Sequence, residues 1–224
     1  MKKSKNIVII PARGGSKRFP NKNIALFENI PLIVHSINYA KKNNEIIDKI
    51  VVSTDNAEIK DIALKNGVMV IDRPKSLSGD LEPTITALKH VIDQLKEDYD
   101  NVILLQITNP LRPCDLLKKA FLDYEKGNYD SLMTVSRNKE KLGKIIGNQF
   151  VPFNYTIGQR SQDLEPLYFE NGLLYISKTN LIYEEKILGE NCFPYIVEHP
   201  FSKVDIDTKE DFLFAHFILR NYNE

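Results

Sequence analysis

Hydrophobic positions in the first 136 residues follow two alternating periods. Short runs of β-branched and other apolar residues are typical of strands buried on both sides. The segments between them repeat apolar residues every three or four positions, which predicts amphipathic helices. The predicted strands lie at 7–11, 50–53, 68–71, 102–106 and 131–135, and the predicted helices at 33–42, 57–65, 83–96 and 115–125. This alternation predicts an α/β fold with a mainly parallel sheet and helices on both faces.

The pattern weakens between residues 137 and 170, where turn residues are frequent. We call this segment the arm and predict that it forms a small β structure outside the main sheet, used for self-association. Beyond the arm, apolar runs at 172–176 and 195–197 predict two more strands. A further strand is predicted to end at residues 204–207.

The predicted organisation is one core interrupted by the arm. Residues 1–136 and 171–224 form the core, and residues 137–170 form the inserted arm. The last helix is predicted to begin after Thr208, which can act as the N-cap, with Asp211 in the capping-box position.

Composition narrows the classes of partner. The chain has 224 residues, of which 42% are hydrophobic, and its 30 basic residues balance 30 acidic ones. A general polyanion-binding surface is therefore not indicated, and we expect no nucleic-acid partner. The apolar runs are too short for a membrane span, so we expect no membrane partner. Cys114 and Cys192 form no CxxC pair, and we expect reduced thiols in a cytoplasmic protein.

The first candidate site follows the first predicted strand, where residues 13–18 read Arg-Gly-Gly-Ser-Lys-Arg. The glycines let backbone N–H groups approach a ligand closely and the cations supply charge, a combination suited to a triphosphate. The motif matches neither the Walker A loop nor the GxGxxG dinucleotide fingerprint. A solvated turn is the alternative, and the position directly after a buried strand favours phosphate binding.

The second candidate site is the pair Asp205 and Asp207. Residues i and i+2 of a strand face the same side, so both carboxylates can address one hard cation, Mg²⁺ or Mn²⁺. The alternative is that the aspartates merely favour the start of the following helix.

Polar residues also follow the predicted strand at 102–106. Gln106 and Thr108, together with Asn109 and Arg112, can read a base or sugar hydroxyls from a strand end. The alternative is that Thr108 and Asn109 cap the loop. The polar run at 160–163 would, by itself, be a solvated loop. The histidines show no metal-ligand spacing, and no motif supports a nucleophilic serine or cysteine.

Four motifs occur together and in order along the chain: IIPARGGSKRFPNKN, LLQITNPLR, RSQDLEPLYFENGLLYIS and VDIDTKED. In combination they resemble the acylneuraminate cytidylyltransferases, the CMP-sialic acid synthetases. The likeness extends from Ile7 to about Phe217. It implies a Rossmann-like α/β fold with a protruding dimerisation arm, which suits residues 137–170, and a homodimer.

The resemblance also implies roles for individual residues. The nucleotide would be bound by Arg13, Gly14, Gly15, Ser16, Lys17, Lys22, Asn23, Arg73 and Ser78. The acid sugar would be bound by Gln106, Thr108, Lys141, Arg160, Gln162, Asn171 and Tyr175. Asp205 and Asp207 would hold the metal ion, Mg²⁺ or Mn²⁺, and Arg13, Lys17 and Asp207 would carry the catalytic roles.

The reaction implied by the resemblance is CTP plus a nine-carbon 2-keto acid sugar, such as N-acetylneuraminate, giving the CMP-sugar and pyrophosphate. Two departures from the family bear on which sugar is bound. The family commonly reads QPTSPLR where this chain reads QITNPLR, so that Asn109 replaces a small hydroxyl residue. Leu173 adds bulk near the expected sugar site. Legionaminate is the main alternative acceptor, ahead of pseudaminate and the eight-carbon KDO. Alternatives from other classes are a DxD glycosyltransferase and a non-catalytic nucleotide-binding protein.

Overall fold

The computed structural model describes residues 4–222, in which alternating apolar segments fold into eleven strands and six α-helices. The strands are β1 (Asn6–Pro11), β2 (Leu26–Phe27), β3 (Ile30–Pro31), β4 (Lys49–Thr54), β5 (Met69–Asp72), β6 (Asn101–Leu104), β7 (Ser131–Arg137), β8 (Gly143–Ile146), β9 (Gln149–Pro152), β10 (Tyr168–Lys178) and β11 (Cys192–Ile196). The helices are α1 (Leu32–Lys42), α2 (Ala57–Lys65), α3 (Thr84–Gln94), α4 (Leu116–Lys126), α5 (Thr179–Tyr183) and α6 (Lys209–Asn221).

Seven strands form one sheet in the order β11-β7-β10-β6-β1-β4-β5. All neighbours run parallel except β10, which is antiparallel to both β6 and β7. The prediction of a mainly parallel sheet is therefore confirmed. The carboxyl ends of β1, β4 and β6 meet at one edge, where an open α/β sheet binds its ligands.

Both faces of the sheet are covered, because side chains of successive strand residues point to opposite sides. In β1, Ile7 and Ile9 pack into a cluster with α3 and α5, whereas Val8 and Ile10 pack into a larger cluster with α1, α2, α4 and α6. All four residues are fully buried. This two-sided burial explains why β1 lacks a polar face in the sequence.

The strand predicted to end at 204–207 is not formed. A short 3-10 helix, Pro200–Lys203, precedes irregular backbone that meets the loop after β6. There the Ile206 N–H donates to the Thr108 carbonyl at 2.7 Å. A segment that approaches the end of a strand has no strand edge with which to form a ladder. The predicted helix start is confirmed, since Thr208 and Asp211 form a capping box at α6.

Two other predicted strands differ in extent from those formed. The strand expected at 172–176 runs from Tyr168 to Lys178, and its register with β7 shifts between Glu170 and Tyr175. Gly172 lies in this bulge with φ at +74°, a backbone conformation that favours glycine. The strand expected at 195–197 forms earlier, as β11.

The arm contains a hairpin of β8 and β9, which forms a separate two-stranded sheet. Gly147 and Asn148 turn the hairpin with φ values of +55° and +63°, as a two-residue hairpin loop requires. Several large apolar side chains of the arm are exposed: Ile145, Ile146, Phe150, Phe153 and Ile157. The division of the chain into core and arm, and the role of the arm in assembly, stay predictions.

Candidate active site

A cavity of about 360 Å³ lies at the edge where β1, β4 and β6 end. It brings together residues that are far apart in the sequence but that we predicted as binding residues. The predicted residues that line it are Arg13, Ser16, Lys22, Asn23, Arg73, Gln106, Thr108, Asp205 and Asp207. The cavity also includes two acidic residues that the sequence analysis missed, Asp80 and Glu82.

The glycine loop packs closely against the start of α2. The Gly14 N–H donates to Asp55 Oδ1 at 2.9 Å, and a Cβ on Gly14 would lie 2.9 Å from the Asn56 Cβ. Asn56 in turn caps α2 by accepting from the Ile59 N–H. Any larger residue at position 14 would force the loop and the helix apart. The other predicted members of the nucleotide set line an adjoining groove: Gly14, Gly15, Lys17 and Ser78.

Asp80 forms ion pairs with two cations of the glycine loop. Arg13 Nη1 donates to the Gly79 carbonyl at 2.8 Å and contacts Asp80 Oδ1 at 2.9 Å, and Lys17 Nζ pairs with Asp80 Oδ2. The hydrogen bond from Lys17, together with the charges of Lys17 and Arg13, holds the pKa of Asp80 below its usual range. Asp80 lies two residues after Ser78, which the resemblance predicts to bind the nucleotide, and this proximity was the available signal for Asp80.

Arg73 is fixed against the end of β4. Its Nε donates to Ser53 Oγ at 3.1 Å and its Nη2 to the Ser53 carbonyl at 2.7 Å. Burial lowers the pKa of the guanidinium to about 10, so Arg73 still carries its charge at neutral pH. The cavity thus has a rigid cation at the end of β4, which is separated from β6 by β1.

The two aspartates share the cavity with a buried lysine. Lys22 Nζ donates to the Ile206 carbonyl at 2.7 Å and to Asp207 Oδ1 at 2.8 Å, and Arg18 pairs with the other Asp207 oxygen. Burial raises the pKa of Asp205, the charge of Asp207 adds to the rise, and the Thr108 hydroxyl opposes it.

These two aspartates fit a divalent cation in the chemistry of their donor atoms. Carboxylate oxygens are hard ligands, and Mg²⁺ needs only one or two of them when substrate phosphates complete its shell. Asp205 and the ion-paired Asp207 line the same cavity. Between residues 4 and 222, no group of three or more His, Cys, Asp and Glu side chains could hold a metal ion.

Five predicted sugar-binding residues do not line this cavity. Lys141, Arg160 and Gln162 are exposed in the arm, where Arg160 pairs with Asp163 at 2.7 Å. Asn171 and Tyr175 are buried in β10. Their sugar-binding roles stay predictions.

The polar groups of the two buried residues have partners inside the protein. Asn171 donates to Ser136 Oγ at 3.0 Å and accepts from the Leu173 N–H. The Tyr175 hydroxyl donates to Glu170, and burial together with this carboxylate raises the pKa of Tyr175.

Asn109 and Leu173, the two departures noted in the sequence, are both fully buried. Asn109 lies behind the cavity wall and hydrogen-bonds to the backbone, so it is not placed to touch a ligand directly. Leu173 packs in the larger hydrophobic cluster. Sequence reasoning placed both near the sugar and did not foresee their burial.

None of the helices between residues 4 and 222 has the length and apolar character that crossing a membrane requires.

Solved structures show the same fold. CMP:2-keto-3-deoxy-manno-octonic acid synthetase complexed with CTP aligns with a TM-score of 0.69 at 17% identity, covering 96% of this chain and 100% of that chain. A 4-diphosphocytidyl-2C-methyl-D-erythritol synthase aligns with a TM-score of 0.70 at 12% identity, covering 96% of this chain and 99% of that chain. These likenesses support the Rossmann-like arrangement of the sheet.

Curated relatives are more similar in sequence. The N-acylneuraminate cytidylyltransferase of Streptococcus agalactiae is 34% identical over 93% of this chain, and the chain spans about half of that relative, 52%. The pseudaminic acid cytidylyltransferase of Campylobacter jejuni is 34% identical, with 98% of both chains covered. The CMP-N,N'-diacetyllegionaminic acid synthase of Legionella pneumophila is 34% identical, with 95% of both covered.

The sequence model of the family described as Cytidylyltransferase matches residues 7–221. That match covers all four motifs and every segment of the cavity. The chain belongs to the cytidylyltransferase family.

Proposed function

We propose that this chain transfers CMP from CTP to the anomeric hydroxyl of a nine-carbon 2-keto acid sugar and releases pyrophosphate. The observation that carries the proposal is the cavity itself. It joins the cations Arg13, Lys22 and Arg73 to the carboxylates Asp205 and Asp207 at the strand ends. Family membership and the names of the three relatives support CTP as the donor and an acid sugar as the acceptor.

The residues of the site would have different roles according to their charge. Backbone N–H groups of the glycine loop, with Arg13 and Lys17, would bind the triphosphate and stabilise the negative charge of the departing pyrophosphate. Asp205 and Asp207 would hold Mg²⁺ or Mn²⁺, which supplies positive charge at the phosphate oxygens. Gln106 and Thr108 would orient the acceptor so that its hydroxyl faces the α-phosphorus. Transfers of this type depend mainly on alignment and electrostatics.

The acceptor class is testable with a substrate panel. CTP, ATP, GTP and UTP are each combined with N-acetylneuraminate, legionaminate, pseudaminate and KDO, and pyrophosphate release is measured. We expect release with CTP and with N-acetylneuraminate or legionaminate as the best acceptor. Sugar transfer from a nucleotide-sugar without pyrophosphate release would indicate a glycosyltransferase, and CTP binding without any turnover would indicate a non-catalytic protein.

The ion pairs of Asp80 give a prediction about nucleotide binding. In the ligand-free protein this carboxylate neutralises Arg13 and Lys17, the cations that a triphosphate needs. Binding of CTP therefore competes with Asp80. We expect Asp80→Asn to tighten CTP binding by about two- to fivefold, the range of an exposed ion pair, as measured by calorimetric titration.

Glu82→Gln is the matched control for Asp80→Asn. Glu82 lines the same cavity but forms no ion pair within residues 4–222. Its variant removes the same charge without releasing the loop, so we expect a smaller change in CTP affinity. Weaker CTP binding in Asp80→Asn would instead mean that Asp80 positions Arg13 and Lys17 for the triphosphate.

We also propose a cytoplasmic homodimer that assembles through the arm. The exposed apolar side chains of the arm support this, for example Ile145 and Ile157 at 75% and 84% exposure, since contiguous exposed apolar surface marks interaction sites. Use of CTP, an intracellular nucleotide, supports the cytoplasmic location. Sedimentation as a monomer of 25.8 kDa at micromolar concentration would contradict the assembly.

A further inference from the structure

Asn109 is a fully buried amide whose hydrogen bonds join two segments of the site. Its Nδ2 donates to the Asn171 carbonyl at 3.1 Å and to the Val204 carbonyl at 2.8 Å. Carbonyl oxygens only accept hydrogen bonds, so both partners require the nitrogen of the amide. One carbonyl belongs to the bulge of β10, and the other directly precedes Asp205.

The same loop holds the aspartate segment at a second point. The Thr108 carbonyl accepts from the Ile206 N–H at 2.7 Å, and Ile206 stands between Asp205 and Asp207. Because this segment is not part of the sheet, no strand ladder fixes its position. Val204 and Ile206 anchor the segment in the larger hydrophobic cluster. The polar contacts that set its distance from β6 are these hydrogen bonds, together with the one from Lys22 to the Ile206 carbonyl.

Gly172 encloses the amide from the side of β10. A Cβ at this position would lie 2.8 Å from Asn109 Oδ1 and 2.9 Å from Gln106 Oε1. Asn109 Oδ1 and Gln106 Oε1 thus occupy the space that a side chain at position 172 would need. The Thr108 hydroxyl donates to the same Asn109 oxygen at 3.2 Å, which leaves the amide nitrogen directed at the two carbonyls.

We propose that Asn109 is a positioning residue that fixes the Asp205–Asp207 carboxylate pair at the distance from β6 that binding of a divalent cation requires. The inference rests on the proposed function, because it assumes that these aspartates hold the cation. Asn109 itself touches neither the cation nor the substrate. Loss of its amide leaves two buried carbonyls without a donor, which favours displacement of the segment that carries Asp205.

Asn109→Leu is the test variant, because leucine has nearly the size and shape of asparagine but offers no N–H donor. We expect the dissociation constant of Mn²⁺ to rise about tenfold or more, as is typical when a residue that orients metal ligands is lost. It is measured by electron paramagnetic resonance as loss of the free Mn²⁺ signal, with one equivalent of CTP and a protein-free blank. The Mg²⁺ concentration for half-maximal turnover is expected to rise in parallel, and the KM for CTP to change less than about twofold.

Asn43→Leu provides a matched control. Asn43 is also a buried amide and donates to a backbone carbonyl, that of Tyr39, at 2.9 Å. It lies at the end of α1, outside the cavity. Its variant loses the same kind of hydrogen bond, so we expect a lowered melting temperature with unchanged Mn²⁺ affinity.

The outcomes separate this inference from the proposed function. Unchanged Mn²⁺ affinity in folded Asn109→Leu overturns the positioning role and leaves the transferase proposal intact. Weakened Mn²⁺ binding, in a protein that releases no pyrophosphate with any acid sugar, supports the positioning role and overturns the transferase proposal. Absence of Mn²⁺ binding in the wild type overturns both.

A measurement on the wild type keeps the inference testable if the leucine variant does not fold. The side-chain N–H signals of Asn109 in NMR spectra are expected to exchange slowly with water, both in the free protein and with CTP and Mg²⁺. Rapid exchange in either state would show that the amide does not hold the two carbonyls.

Discussion

The Asp207→Asn variant is expected to release pyrophosphate about 10²–10³-fold more slowly than the wild type, the loss typical of removing one electrostatic contact to a transition state. Asparagine keeps the shape of the side chain but removes the charge that would hold the cation. In the ligand-free wild type, the Asp207 carboxylate pairs with Lys22 and Arg18. Turnover at saturating CTP and acceptor is the measurement, with Mg²⁺ varied over a wide range.

Asp72→Asn is the control for the loss of a paired carboxylate. Asp72 lies at the end of β5 and pairs with Lys60 at 2.7 Å, with its side chain 72% exposed. We expect its variant to keep normal turnover, because exposed ion pairs contribute little. Turnover of Asp207→Asn within threefold of the wild type, in a folded protein, would rule out a metal-binding role for this carboxylate.

The Arg112→Met variant is expected to lower the free energy of unfolding by about 2–4 kcal/mol, since it leaves two or more buried acceptors without donors. The guanidinium donates to the carbonyls of Leu173 and Gln106 at 2.7 and 2.6 Å, and to Ser36 Oγ at 3.1 Å. It therefore ties β10 and α1 to the end of β6. Burial lowers its pKa to about 10, so the group remains charged at neutral pH.

Urea unfolding of Arg112→Met, compared with two further arginine variants, measures this effect. Arg112→Lys retains the charge and part of the hydrogen bonding, so we expect an intermediate loss. Arg160→Met removes an exposed arginine that pairs with Asp163, and we expect a change within about 0.5 kcal/mol. Equal stability of Arg112→Met and Arg160→Met would mean that the buried guanidinium does not hold the strands together.

Local patterns predicted most of the sheet because each strand carries its own signal. The run at 7–11 is apolar at every position, as burial on both faces demands. The segment at 204–207 shows where such reasoning fails. Its alternation is real, since Val204 and Ile206 are 1% and 0% exposed while Asp205 and Asp207 line the cavity. Alternation reports which side is buried, but a ladder depends on a partner strand that no local pattern specifies.

The sequence predicted those residues of the site that directly follow strands, because the carboxyl ends of parallel strands meet at one edge of the sheet. Arg13 and Gln106 follow the neighbouring strands β1 and β6, and Arg73 follows β5, on the far side of β4; all three line one cavity. Asp80 was missed because a carboxylate in a polar loop looks the same in sequence whether or not it reaches a distant cation. The burial of Asn109 was equally hidden, since its partners are backbone carbonyls contributed by segments about 60 and 95 residues away.

The arm leaves the sheet from β7 and returns through β10, and these strands pair with Arg137 opposite Tyr168. Its two ends are therefore neighbours whatever lies between them. Doubling the length of a loop closed in this way costs only about 0.6 kcal/mol of chain entropy. Insertions and deletions can thus accumulate here during evolution, or a foreign domain can be inserted, without stretching the strands that carry the cavity.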